Sequence, residues 1–132
     1  MSISNDETAI EFVRTRIRIR AELIDVHEHV LDTYDVPHSF LMDMYHTDLQ
    51  DLRRRIQHAF FAEIQIHFHT GAKPAFVSIT DAHDETHTNL LMHPELYAQR
   101  MRSIQLLDVI LIVDDPNRNR IQALHDLYYM IL

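Results

Sequence analysis

Val13-Arg14-Thr15-Arg16-Ile17-Arg18-Ile19-Arg20 is the stretch on which the fold of this chain turns. Taken alone, its alternation of apolar and basic residues is that of a half-buried strand. Taken with its flanks, the same apolar residues fall on two stripes at helical spacing. One stripe is Ile10, Val13, Ile17, Ile24 and Leu31; the other is Phe12, Ile19, Leu23, Val26 and Val30. The longer pattern favours an amphipathic helix over about Glu7 to Asp32, capped by Asn5 or Asp6. Two stripes on one helix call for two neighbours, one of them a second copy of the chain. Phe12, Ile19, Leu23, Ile24 and Val30 are therefore the candidate interface of a homo-oligomer, most simply a homodimer. His27 falls in the apolar arc between the stripes.

The rest of the chain is read outward from there. Asp35-Val36-Pro37-His38-Ser39 breaks the first element, and a second helix is expected from about Phe40 to Ala59. Glu63-Ile64-Gln65-Ile66-His67-Phe68-His69 alternates strictly and reads as a strand. Thr70 to Pro74 is a turn, and Ala75 to Thr80 a returning strand, which together make an antiparallel hairpin. Asp81 to His93 reads as a loop, and Pro94 opens a third helix to about Ile104. Leu107 to Val113 is a buried strand. Asp115 and Pro116 then start a last helix with Ile121, Leu124, Tyr128 and Ile131 inward. The expected fold is a single α+β domain over residues 1–132, in the order α-α-β-β-α-β-α. Its sheet has three strands, the hairpin plus one crossover strand, packed by helices.

Composition narrows the chemistry. The chain has 132 residues, no Cys and one Gly, so disulfide scaffolds, Cys-ligated zinc and phosphate-cradling glycine loops are excluded. Its net charge of −8 argues against direct nucleic-acid binding and favours a basic protein partner. No apolar run is long enough for a membrane span, and no signal peptide is read, so a cytoplasmic setting is expected.

Histidine is dense, with 11 residues. His67 and His69, two apart on the expected strand, would share a face and could converge on one metal. His83 or His87 would add a third ligand, with Asp84 or Glu85 activating a bound water. That gives one alternative function, a hydrolase dependent on a divalent transition metal such as zinc. His83 and His87 lack the adjacent Glu of a zincin helix.

The principal expectation is a small, acidic protein-interaction domain of inhibitor, immunity, anti-defence or adaptor type, with neither catalysis nor cofactor. A structural subunit of a larger assembly, such as a virus particle, is the other alternative. Burial of His27 and His125 would make stability fall between pH 7.5 and pH 5.5.

Overall fold

A computed structural model describes residues 14–37, 40–43 and 47–115. Its elements are β1 (Arg14–Ile24), β2 (Val30–Asp35), β3 (Phe40–Asp43), α1 (Leu49–His67), β4 (Ala75–Asp81), α2 (Pro94–Arg100) and β5 (Leu106–Asp114). These form a small α+β unit whose mixed sheet runs β2-β1-β5-β4. β3 pairs with the same edge of β1 as β2, further along it, so the two are successive pieces of one interrupted strand. Pro37 lies in the interruption. β1 and β5 are parallel, while β4 is antiparallel to β5.

The expected order α-α-β-β-α-β-α is therefore overturned, as is its three-stranded sheet. The alternation over Arg14–Arg20 is the true period, and β1 is a central strand with a partner on each side. Thr15, Ile17, Ile19 and Ala21 are buried, whereas Arg16, Arg18 and Arg20 are exposed. The stripes at helical spacing arise because the chain turns back at Asp25. The Asp25 carboxylate accepts hydrogen bonds from the backbone amides of His27 (2.8 Å) and His29 (2.9 Å). Glu28 takes the left-handed conformation at φ 63°. A glycine would signal that turn, and here a glutamate does the work at some cost in strain.

The expected strand at Glu63–His69 is instead the end of a 19-residue helix. Burial decides between the two periods: Ile64 and Phe68 are buried, but Ile66 is 73% exposed. That is a spacing of four, continuing Leu52, Ile56 and Phe60. Asp48 caps the helix by accepting from the Asp51 amide (2.8 Å). Phe40 to Asp43, expected at the start of a helix, is β3.

α1 lays Leu52, Ile56, Phe60, Phe61 and Ile64 on the sheet face formed by Ile17, Ile19, Ala21, Leu107, Val109, Leu111 and Val113. Each such side chain contributes on the order of 1.5–3 kcal/mol. Pro94 does open a helix, which ends at Arg100. There the buried Tyr97 hydroxyl donates to the Thr47 carbonyl (3.0 Å) and ties α2 to the start of α1. The strand before α2 and the strand after it are antiparallel neighbours, not the parallel pair of a crossover unit. The caps at Asn5 or Asp6 and the helix from Pro116 lie outside the described residues.

Candidate functional site

Sheet edges are the places where backbone hydrogen bonds can still be offered, and the two edges of this sheet differ. The β4 edge is closed from within the chain. Val77 is an extra residue in the register opposite β5, so the strand bulges there. Asn89 then covers the bulge: its side-chain oxygen accepts from the Ile79 amide (3.1 Å) and its amide group donates to the Val77 carbonyl (3.0 Å). The Leu90 amide completes the seal on the Ile79 carbonyl (2.8 Å).

The β2 edge is different. Among the described residues no strand pairs with its outer side. The Val36 amide donates to Ile19 across the ladder, and the register Arg20↔Asp35 to Leu23↔Asp32 then sets the alternation. Asp32 and Tyr34 face β1, and Thr33 and Asp35 face outward. The Thr33 amide is held by the Asp32 carboxylate (2.8 Å). Val30 and Leu31 are about half exposed, with the exposed acids Glu28 and Asp32 close to them in the chain. Tyr34 fastens the strand from the other side, donating to Glu63 on α1 (2.7 Å) and stacking on the His67 ring at 4.0 Å. That bond to Glu63 raises the Tyr34 phenol above its ordinary pKa.

The sheet face away from α1 is charged but balanced. Arg18 binds Asp108 through two nitrogens (2.6 and 2.9 Å), and Arg20 binds Asp35 likewise (2.7 and 3.4 Å). These side chains line a depression of about 620 Å³ with Val36, Thr80, Val109 and Ile110. Two guanidinium groups meet two carboxylates, so the depression attracts neither sign of ligand.

The residues singled out in the sequence are scattered. His67 ends α1, and His69 follows it in a turn with φ 52°. They do not share a strand face, because there is no strand. His83 and His87 lie in the loop after β4, where Asp84 is committed to the loop itself. It accepts from the Thr86 amide (3.1 Å) and hydroxyl (2.8 Å) and lies 3.6 Å from Arg100. Among the described residues, no three His, Asp or Glu side chains are arranged to hold a metal ion. Of the expected interface, Ile19 is sealed under α1, Ile24 is buried and Leu23 partly so; only Val30 is well exposed. Phe12 lies outside the described residues. His27 is exposed in the β1–β2 turn, not packed in a seam, and His125 lies outside the described residues. The two sheet edges were missed in the sequence reading. The Asn89 partners that seal the edge are ten and twelve residues away, beyond the reach of a local signal.

The acid limb of stability follows from carboxylates. The Arg20 hydrogen bond lowers the Asp35 pKa, the His29 amide lowers Asp25, and the Thr86 hydroxyl lowers Asp84. A depressed folded pKa stabilises the fold above the unfolded value, about 3.9, and that stability drains as pH falls through the folded values. Urea midpoints should therefore drop from pH 5 to pH 3, and less steeply in Asp35→Asn. An equal drop in that variant would deny Asp35 this role.

Compared with models of known families, with curated proteins and with solved structures, the chain matches none. No helix among the described residues is long and apolar enough to cross a membrane.

Proposed function

We propose that the chain is a non-catalytic protein-interaction module, of inhibitor, immunity, anti-defence or adaptor type, working in the cytoplasm. It takes an extended, basic segment of a partner protein onto the outer edge of β2. The observation that carries this reading is the contrast between the edges: Asn89 and Leu90 close β4, whereas among the described residues no strand pairs with the outer side of β2. Adding a strand supplies main-chain hydrogen bonds, and side chains beside the edge supply selectivity. Val30 and Leu31 offer apolar contact. Glu28, Asp32 and the net charge of −8 favour Lys and Arg in the incoming segment and speed its approach.

Selection from a display library of linear peptides tests this. Binders should alternate apolar and basic residues and weaken with salt. Thr33→Pro removes an outward-facing amide, leaves the ladder to β1 intact and blocks an added strand. The loss of main-chain hydrogen bonds to the added strand should weaken binding roughly tenfold or more, while the melting temperature falls only by the worth of the exposed Thr33–Asp32 bond, about 1 kcal/mol at most. Binders that ignore Thr33→Pro would refute the reading. So would a dimer in light scattering that Thr33→Pro dissociates, because the edge would then be occupied by a second copy.

A further inference from the structure

The positive charges of this acidic chain are not evenly matched. Arg18, Arg20, Arg54 and Arg100 each lie against a carboxylate. Among the described residues no carboxylate is paired with Arg53 or Lys73, and these two line one hollow of about 410 Å³ between α1 and the start of β4. Arg54 lines it too, 3.2 Å from Asp51. No carboxylate is among the described residues that line the hollow. Its other walls are Gln50, Gln57, Phe61, Ala75 and Phe76.

The hollow is constructed, not a chance gathering of long side chains. Arg53 is held over the Phe76 ring, its guanidinium carbon 5.3 Å from the ring centre. Phe76 in turn packs on Phe61 with ring centres 5.7 Å apart. The loop that carries Lys73, the only lysine in the chain, is fixed from both sides. Gln65 donates to the carbonyls of Gly71 (3.3 Å) and Ala72 (3.0 Å), and Thr70 accepts from the Ala72 amide (3.0 Å).

We propose that this hollow binds a small phosphomonoester carrying hydroxyl groups, of the sugar-phosphate kind. Arg53 and Lys73, with Arg54 beside them and shared with Asp51, fit a phosphate, for which guanidinium and ammonium groups are the usual partners. The amides of Gln50 and Gln57 can both donate and accept, which suits hydroxyls on the rest of the ligand. The depression on the open sheet face is the internal contrast: it holds two arginines as well, but each is neutralised by an aspartate. This site is independent of the β2 edge.

Calorimetric titration of the full chain with ribose 5-phosphate, ribose and inorganic phosphate tests the proposal. Ribose 5-phosphate should bind saturably, inorganic phosphate more weakly and ribose not at all. Lys73→Gln and Arg53→Gln should each weaken ribose 5-phosphate on the order of tenfold, the scale of one charge-assisted hydrogen bond. Arg55→Gln removes the same charge outside the hollow and should change the affinity by less than about twofold, as expected of a screened surface charge. Circular dichroism of each variant confirms that it is folded. The proposal is overturned by the absence of saturable ribose 5-phosphate binding, by equal binding of ribose, or by an Arg55→Gln effect as large as that of Lys73→Gln.

Discussion

Ile19→Asp is expected to leave no folded protein at 25 °C, while Arg18→Ala, one residue away, should fold almost as the parent does. Ile19 is 1% exposed at the centre of β1, between β2 and β5 and beneath α1. The substitution forfeits about 2 kcal/mol of apolar burial. It also forces a carboxylate into a place with no partner, which costs several kcal/mol more. A domain of this size has roughly 5–15 kcal/mol of stability in all. The Arg18 side chain is 62% exposed, and its pair with Asp108 is a surface pair worth at most about 1 kcal/mol. Thermal melts followed by circular dichroism give the comparison. A folded Ile19→Asp with a near-parental melting temperature would contradict the burial of that face of β1.

Asn89→Ala should cost about 2–3 kcal/mol and make the protein associate at high concentration. Three backbone groups lose their partner: the Ile79 and Leu91 amides, each 3.1 Å from the Asn89 oxygen, and the Val77 carbonyl. Each net bond is worth about 0.5–1.5 kcal/mol, and partly buried groups left unmade lie at the upper end. The association has a separate origin, since a strand edge stripped of its cover becomes a template for another chain. Asn89→Asp keeps the accepting oxygen and loses only the donor, so it should fall between the two. Urea midpoints measure the stability, and sedimentation over a range of concentrations measures the association. An alanine variant with parental midpoint and parental mass would mean that Asn89 does not guard the edge.

The sheet was partly legible before the structure. The strands Ala75–Asp81 and Leu106–Asp114 stand close to where alternation and the apolar run place them, and Pro37 does interrupt the chain. Residues 14–35 were misread for a physical reason. Strand and helix periods coincide at Val13 and Ile17, four residues apart, and what separates the two readings is the hairpin turn at Asp25. With one glycine in the chain, the left-handed positions carry no glycine signal: among the described residues they are Glu28, His69 and His87. The four arginines of β1 also argue against a central strand until their partners are known. Asp35 and Asp108, 15 and 90 residues away, make two of them tolerable there. The β2 edge and the Lys73 hollow were not legible at all, because each depends on contacts between distant segments. The histidine pair was legible as a pattern, but its meaning depended on a strand that is a helix.

Backbone amide exchange, followed by NMR with and without a selected basic peptide, tests the interaction reading most directly. The Asp35 amide, which faces away from β1, should exchange rapidly in the free protein and slowly in the complex. The Ile79 amide, already held by Asn89, should be slow in both. Protection gained on α1 or on the Arg18–Asp108 face, with Asp35 unchanged, would contradict strand addition at β2.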